Sequence, residues 1–155
     1  MTVRVQREDF EIGAEIAALR RGDGAVGAVA SFIGTVRDVN EGSGVAAMTL
    51  EHYPGMTEKA LESICGRAKS RFDILDTLII HRVGELRPTD QIVLVAVMSA
   101  HRGEAFAACE FIMDYLKTEA PFWKKEATSQ GQGWVEARET DVEAAARWRD
   151  PQAGH

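Results

Sequence analysis

Three lysines stand close together in the segment "YLKTEAPFWKKE", residues 115–126. Lys117 falls where an apolar helix pattern ends, and Lys124 and Lys125 follow a proline. A charged lysine donates protons, and both burial and neighbouring cations favour its neutral, basic form. The segment therefore indicates either general acid–base chemistry or anion binding. Because the dipole of a helix favours a cation at its C-terminus, a purely structural role for Lys117 stays open.

A second basic group lies in "SAHRGEAF", where His101 and Arg102 come between a strand and the first turn of a helix. Backbone N–H groups at a helix N-terminus attract anions, and arginine binds phosphate with two parallel hydrogen bonds. A capping histidine and a surface arginine are the structural alternative. In "GTVRD", Arg37 begins a loop after a strand, where it either binds an anion or pairs with Asp38.

Alternating helix and strand patterns must position these residues. Strands are predicted at 2–6, 25–36, 45–53, 77–86, 90–100 and 133–138, and helices at about 10–21, 56–72, 103–118 and 141–149. Asp9 is the predicted cap of the first helix, whose Ile12, Ile16 and Leu19 share one face, with Gly22 ending it. Residues 37–44 read as a loop, and the last helix is capped by Thr140 or Asp141.

The order of these elements predicts an α+β fold with a mixed, largely antiparallel sheet and packed helices. We expect a single domain at residues 1–150, followed by a tail at 151–155 that carries no recognisable motif. Pro121 ends the third helix, so "FWKKE" is extended and its side chains alternate. Only one of Lys124 and Lys125 can then face a given pocket. Phe122 and Trp123 are core residues or the wall of a ligand site.

Composition excludes several classes of function. The net charge of -6 argues against a general nucleic-acid or anionic-membrane binder. No window approaches the roughly 18 apolar residues of a membrane span, and the N-terminus does not resemble a signal peptide, which predicts a cytoplasmic protein. Cys65 and Cys109 are predicted to be buried thiols, and His52 and His81 to be structural histidines. The histidines are too scattered to predict a metal site.

The spacing along the third helix predicts a shared site. Arg102 and Lys117 are separated by about 22 Å if the helix between them is continuous, since each residue adds about 1.5 Å. One small ligand cannot contact both residues in the same chain. A site that uses both must therefore combine two subunits, most simply in a twofold dimer.

Five segments resemble the large, catalytic subunit of molybdopterin synthase, the MoaE family. They are "ASFIGTVRDVNEG", "LEHYPGMTEK", "IIHRVGEL", "AHRGEAF" and "MDYLKTEAPFWKKE" with the later "WVEAR", in order over about residues 24–148. The resemblance implies an α/β hammerhead-type fold and a homodimer at the centre of a heterotetramer. It also implies a small ubiquitin-like sulfur-carrier partner of the MoaD type, whose C-terminal glycine carries sulfur as a thiocarboxylate.

The implied reaction converts cyclic pyranopterin monophosphate (precursor Z) to molybdopterin by two sulfur transfers. No cofactor is bound permanently, because the partner's thiocarboxylate supplies the sulfur. The resemblance makes Lys117 and Lys124 the catalytic residues. It implies that the substrate pocket is lined by both lysines together with Thr35, Val36, Arg37, His101, Arg102, Lys125, Glu126 and Arg138.

The family roles suit the chemistry of these side chains. Arg37, His101 and Arg102 would hold the phosphate. Lys117 would relay protons, and Lys124 would stabilise an oxyanion or assist in opening the cyclic phosphate. Phe122, Trp123 and the adjacent backbone are expected to form a groove for the partner's tail through strand-like hydrogen bonds.

Two other functions stay open. A non-catalytic phosphate- or pterin-binding α+β dimer would bind the ligand without turnover. A phosphoryl or cyclic-phosphate hydrolase with Lys117 as its base would act without a sulfur donor. The hydrolase is the weaker alternative, because the sequence has no Walker-type loop, carboxylate metal cluster or Ser/His/Asp pattern.

Overall fold

The structure is a computed structural model, and it describes residues 1–37, 39–40, 43–128, 131–135 and 139–149. Strands and helices alternate along these ranges. The strands are β1 (Thr2–Gln6), β2 (Ala28–Thr35), β3 (Val39–Asn40), β4 (Ser43–His52), β5 (Asp76–Arg82), β6 (Gly84–Leu86), β7 (Gln91–Ser99), β8 (Phe122–Thr128) and β9 (Gly131–Val135). The helices are α1 (Ile12–Arg20), α2 (Met56–Arg71), α3 (Arg102–Glu119) and α4 (Glu139–Ala146), and a 3-10 turn at Arg147–Arg149 follows α4. The predicted α+β class is confirmed.

One sheet has the strand order β1-β5-β7-β2, with β1 parallel to β5 and the other pairs antiparallel. Helices cover both faces of its central strands. On one face, Ile79 and Val95 pack against α2 and α3. On the other, Ile80 and Leu94 pack with Ile16 of α1. Burial on both faces explains why β5 and β7 are almost continuously apolar in sequence.

A second, antiparallel sheet has the described order β3-β4-β8-β9, and β6 also pairs with β4. Its inner face carries Met48 and Leu50 of β4, which form a cluster with Val83 and Leu86. Phe122 of β8 packs against this cluster and also against the main core. This sheet therefore holds β8, with its lysines, against the rest of the protein.

The chain passes from the first sheet to the second at Gly84. Residues 77–86 were predicted as one strand, and this prediction was wrong, because β5 ends at Arg82 and β6 begins at Gly84. Gly84 has a φ of 89°, which a residue with a Cβ adopts only under strain. The turn sends β5 to pair with β7, whereas β6 pairs with β4 in the second sheet.

The first helix begins later than predicted. Glu11, and not Asp9, is at the N-cap position, and no side chain caps the helix. The Asp9 carboxylate accepts hydrogen bonds from the Phe10 N–H and the Gln91 amide, both at 2.9 Å, and so joins the end of β1 to β7. The predicted apolar face is confirmed, since Ile12, Ile16 and Leu19 pack together on the sheet. The helix ends in left-handed backbone at Arg21 and Gly22.

Two further predictions differ from the structure. Part of the predicted loop at 37–44 forms a hairpin, because Val39 and Asn40 pair with the start of β4. Thr140 and Asp141 lie inside α4 and so do not cap it. The prediction that 1–150 form one domain stays untested, and the tail at 151–155 lies outside the described residues. Within the described part of the chain, no helix combines the length and the apolar character needed to cross a membrane.

Candidate active site

The junction of α3 and β8 connects the two segments that carry Lys117 and Lys124. Lys117 lies in the last turn of α3. Ala120 is already extended, with a φ of -74° and a ψ of 129°, because the following Pro121 disfavours the helical conformation. The chain reverses there and enters β8 at Phe122. The predicted helix stop and the predicted extended segment are both confirmed.

A buried threonine fixes this junction to α2. Thr57 is fully buried, and its hydroxyl donates a hydrogen bond to the carbonyl oxygen of Pro121 at 3.1 Å. The same hydroxyl oxygen accepts a hydrogen bond from the N–H of Tyr53 at 3.0 Å. The threonine thus ties the end of β4, the start of α2 and the start of β8 together, just before the segment that carries Lys124.

Strand pairing decides which way the β8 side chains point. Phe122 pairs with His52 and Lys124 pairs with Leu50, so these four residues share the inner face of the second sheet. Trp123 is on the opposite face, where its ring meets that of Tyr53 edge-on at 4.0 Å. Lys124 is half-buried on the side that packs against the core. As predicted, neighbouring residues of this segment face opposite ways.

His81 is a buried histidine of β5 whose pKa is affected by the charges of both lysines. Its ring stacks on Phe122 with centroids 3.9 Å apart, and its Nδ1 lies 2.9 Å from the carbonyl oxygen of Arg82. Burial, together with the smaller effects of the charges of Lys117 and Lys124, lowers the pKa of His81 to about 3, although the contact with the Arg82 carbonyl raises it. The prediction of a buried, satisfied histidine is confirmed. Its position beside both lysines was not predicted, although an isolated histidine in an apolar strand was a visible signal.

Lys117 itself is exposed in the single chain. The expectation that burial favours its neutral form is therefore not met by this chain alone. A substrate, a partner tail or a second subunit would have to cover the lysine. The described side chains around it supply positive charge from Lys124 and an uncharged imidazole from His81.

His101 and Arg102 lie at the opposite end of α3. His101 occupies the N-cap position without a side-chain cap, and its backbone N–H donates to the Ser99 hydroxyl at 3.2 Å. Both side chains are exposed. Because α3 is continuous from Arg102 to Glu119, the helical rise places Arg102 about 22 Å from Lys117. The structure therefore does not bring these two groups together within one chain.

Thr35, Val36 and Arg37 follow one another at the end of β2. The backbone of Val36 is held by two hydrogen bonds, from its N–H to Asp90 at 2.9 Å and to its carbonyl from Thr89 at 2.8 Å. Val36 is buried in the cluster of the second sheet, whereas Arg37 is exposed. A fixed backbone therefore precedes an exposed guanidinium group, and the alternative pairing of Arg37 with Asp38 lies outside the described residues.

Three of the predicted site residues are described incompletely or not at all. The backbone of Lys125 and Glu126 pairs with Thr49 and Met48 in the sheet, but their side chains lie outside the described part of the structure. Arg138 also lies outside the described residues. The structure therefore describes only some of the residues of the predicted pocket, which stays a prediction.

The expected groove for a partner tail needs correction. Phe122 and Trp123 point to opposite faces of β8, so their side chains cannot line one wall together. From Lys124 to Thr128 the strand pairs with β4 on one side and β9 on the other. Strand addition along this stretch is therefore blocked, because both of its edges are already used.

Neither of the two cysteines is available as a thiolate. Cys65 and Cys109 are both free and buried, as predicted. Burial raises the pKa of Cys65, and it raises the pKa of Cys109 to about 12. A protonated, buried thiol is a poor nucleophile. Among the described residues, no three His, Cys, Asp or Glu side chains are grouped to hold a metal ion.

A cavity of about 530 Å³ lies elsewhere, between α2, α3 and the 3-10 turn. It is lined by Arg67, Arg71 and Tyr115 among others, and by none of the predicted site residues. Arg67 is paired there with Glu119 at 2.8 Å.

Comparisons with known proteins relate most of the chain to a single family. Residues 5–119 match the family described as MoaE protein. A molybdopterin synthase catalytic subunit from Ralstonia nicotianae is 72% identical over 147 residues, which cover 95% of this chain and 84% of that protein. A solved molybdopterin biosynthesis MoaE protein from Burkholderia ambifaria has a TM-score of 0.83 and 60% identity, covering 96% of this chain and 97% of that one. A solved molybdopterin synthase from Staphylococcus aureus has a TM-score of 0.77 and 31% identity, covering 85% and 95% respectively.

Proposed function

Because this chain belongs to the MoaE family, we propose that it is the catalytic subunit of a molybdopterin synthase, a sulfurtransferase of molybdenum cofactor biosynthesis. It converts cyclic pyranopterin monophosphate to molybdopterin by two sulfur transfers. The sulfur comes from the thiocarboxylated C-terminal glycine of a small ubiquitin-like subunit. The observation that carries this proposal is the 72% identity to a molybdopterin synthase catalytic subunit over 95% of this chain.

The chemistry of each transfer defines what the site must supply. The thiocarboxylate sulfur bonds to a substrate carbon while a carbon–oxygen bond at that carbon breaks, and the oxygen leaves as water or as the opened phosphate ester. The glycine carbonyl is then linked to the substrate through sulfur. Water then attacks this carbonyl, the acyl–sulfur bond breaks, and the glycine leaves as a carboxylate while the sulfur stays on the substrate. The attack creates a tetrahedral oxyanion, and protons must be moved at each stage. Fixed cations and a proton relay meet both needs.

The two lysines divide this work. Lys117 is exposed at the helix end, where it can exchange protons with the substrate, and it relays them as sulfur adds and the carboxylate departs. Lys124 is half-buried and held by strand pairing, so it stabilises the oxyanion or assists in opening the cyclic phosphate. The buried thiols take no part, because the sulfur is delivered by the partner.

The phosphate is held by Arg37, His101 and Arg102, with Arg138 as a further cation. The 22 Å estimate along α3 requires that the His101–Arg102 end and the Lys117 end of one site come from different chains. We therefore propose a homodimer with two shared sites. A small sulfur-carrier subunit docks at each, which makes a heterotetramer. We also propose that residues 1–150 form a single catalytic domain and that the protein is cytoplasmic.

The test is reconstitution with cyclic pyranopterin monophosphate and a thiocarboxylated small subunit, with the dithiolene product followed by mass. We expect product from the wild type and a loss of at least about 100-fold for Lys117→Ala, since general acid–base groups contribute roughly 10²–10⁴-fold. Lys124→Ala should accumulate an intermediate. The matched control is Lys59→Ala, which removes an exposed lysine from α2 and should leave the rate unchanged.

Other outcomes support the other functions. Pterin binding without product from any variant, in the presence of an active partner, would indicate a binding protein. Release or opening of the cyclic phosphate without a sulfur donor would indicate a hydrolase. Comparable turnover in Lys117→Ala would refute the role given to that lysine.

A further inference from the structure

The turn at residues 87–90, which joins β6 to β7, contains an unusual backbone conformation. Among the described residues, only Arg21 and Thr89 have a positive φ without being glycine. Arg21 is at the end of a helix, where left-handed backbone is common. Thr89 has a φ of 80°, which strains a residue with a branched Cβ. Strain of this kind persists only where the surrounding structure requires it.

Two observations identify the turn as type II. The N–H of Asp90 donates to the carbonyl oxygen of Arg87 at 3.0 Å, so Pro88 and Thr89 are the two central residues. Proline fixes φ at about -65°, which excludes the mirror-image turns, and the positive φ of Thr89 excludes type I. A type II turn favours glycine at the second central position, whereas Pro-Thr fits a type I turn without strain.

The strained turn directs one backbone donor towards β2. The two turn types differ by a rotation of about 150–170° of the peptide group between Pro88 and Thr89, so they point the Thr89 N–H in opposite directions. In the structure this N–H donates to the carbonyl oxygen of Val36 at 2.8 Å. The N–H of Val36 donates in return to the carbonyl oxygen of Asp90 at 2.9 Å. A type I turn would lose the first of these two bonds, so the strain at Thr89 accompanies the bond that holds Val36.

A β-bulge lies beside this turn. Gly34 of β2 pairs with Val93 of β7, but the next residue, Thr35, pairs with Gln91. Ile92 is therefore an extra residue of β7 at this point. Bulges bend a strand and redirect its side chains, and they are frequent next to active sites. Two irregular backbone features thus meet at the end of β2.

The end of β2 carries Arg37 to the second sheet. The side chain of Val36 packs in the cluster that also contains Leu50, and Leu50 lies opposite Lys124 on the inner face of that sheet. Arg37 directly follows Val36 and is exposed. The backbone that Thr89 holds therefore determines where the side chain of Arg37 begins, on the same cluster beside which Lys124 lies.

We propose that Thr89 is a positioning residue of the substrate site: its strained backbone holds Val36, and through it places Arg37 where this arginine binds the substrate phosphate. The proposal rests on the proposed function for the role of Arg37. The backbone of Thr89 does the positioning, so its hydroxyl group is not required. Because the positioned residue binds the phosphate in the ground state and the transition state alike, loss of the positioning raises KM and leaves kcat unchanged.

The first experiment tests the strain and needs neither substrate nor partner. Urea midpoints of the full chain are compared for wild type, Thr89→Gly and Thr2→Gly, where Thr2 is an exposed residue of β1. Glycine relieves the strain at position 89, whereas at position 2 it only loosens a strand. We expect the midpoint to rise in Thr89→Gly and to fall in Thr2→Gly. An equal fall in both variants would show that Thr89 is not strained, and the proposal would then be wrong.

Kinetics in the reconstituted assay then test the positioning. Thr89→Pro has no N–H and cannot adopt a positive φ, so KM for cyclic pyranopterin monophosphate should rise about 10-fold or more, with kcat within about threefold. Thr89→Gly is the conservative variant, and it should restore KM to within about threefold of wild type because it keeps the donor and the conformation. Thr2→Gly is the matched control and should keep both constants unchanged.

A double-mutant cycle identifies the residue through which Thr89 acts. In an Arg37→Ala background, Thr89→Pro should raise KM no further. The same rise in both backgrounds, or a loss in kcat alone, would overturn the proposal. If Thr89→Pro does not fold, Asp90→Ala replaces it in the same comparison, because it removes the carboxylate that accepts the Arg87 N–H at 2.9 Å and supports the turn. Absence of product from the wild type would refute the proposed function and leave the urea result standing.

Discussion

Acidification from pH 7 to pH 5 is expected to lower the free energy of unfolding by about 2 kcal/mol through His81 alone. The folded protein keeps this histidine neutral, since its pKa is lowered from 6.5 to about 3. Below pH 6.5 the unfolded chain binds a proton at His81 that the folded chain does not bind. Stability therefore falls as the pH falls, and this loss continues until the pH reaches the pKa of the folded state.

The size of the loss in stability follows from the part of the interval between the two pKa values that the acidification crosses. Each pH unit within it changes the free energy of unfolding by about 1.36 kcal/mol, so the interval from 6.5 to 5 amounts to about 2 kcal/mol. Carboxylates contribute at lower pH. The pKa of Asp9 is lowered from 3.8 chiefly by its hydrogen bond to Gln91. That of Asp76 is raised by burial, but hydrogen bonds from the N-terminal ammonium and the Thr77 N–H, with nearby positive charge, lower it on balance. Both lose their stabilising effect only as the pH falls through 3.8 and below.

Urea unfolding at half-unit intervals between pH 7 and pH 5 measures the slope directly. The comparison is with His81→Phe, in which the slope should be close to zero whatever the absolute stability of the variant. The matched control is His101→Gln, which removes an exposed histidine and should keep the wild-type slope. The reasoning is refuted if wild type and His81→Phe show the same slope, because the buried imidazole would then not be the linked group.

Three further changes test other parts of the structure. Replacing both Cys65 and Cys109 by alanine should leave sulfur transfer within about twofold of wild type, because both thiols are buried and protonated; a large loss of product in the reconstituted assay would contradict this. Gly84→Ala should cost about 1–3 kcal/mol in urea unfolding, since it forces a Cβ onto a φ of 89°. Thr57→Val should cost about 1–3 kcal/mol by leaving the Pro121 carbonyl without its hydroxyl donor, and unchanged stability would show that the junction does not depend on it.

Local patterns predicted most of the elements of this fold. The apolar runs of β5 and β7 reflect burial on both faces, and the stop at Pro121 follows from its missing N–H group. The break at Gly84 was missed because an isolated glycine in an apolar run is compatible with a continuous strand. Asp9 was assigned to the wrong role because its carboxylate bonds to Gln91, a contact with a distant strand that no local pattern reveals.

The candidate site was predictable to a smaller extent. Lys117 and Lys124 were identified as candidates by their residue type and by the family resemblance. The sequence also predicted correctly that neighbouring side chains of β8 face opposite ways. The position of His81 against β8 was not predicted, because its contact with Phe122 joins residues 41 positions apart in two different sheets. Such a contact depends on how the sheets pack, and a single sequence contains no direct measure of that packing.

The unbroken α3 also limits how a protein of this kind can change in evolution. Inserting one residue between Arg102 and Lys117 would lengthen the helix by about 1.5 Å and turn everything beyond it by about 100°. The end proposed to bind phosphate and the end proposed to relay protons would then lose their relative orientation. In a symmetric dimer the fault occurs in both sites at once, so neither copy can compensate for the other. Substitutions along the exposed face of α3 are therefore expected to be tolerated far better than insertions or deletions of single residues.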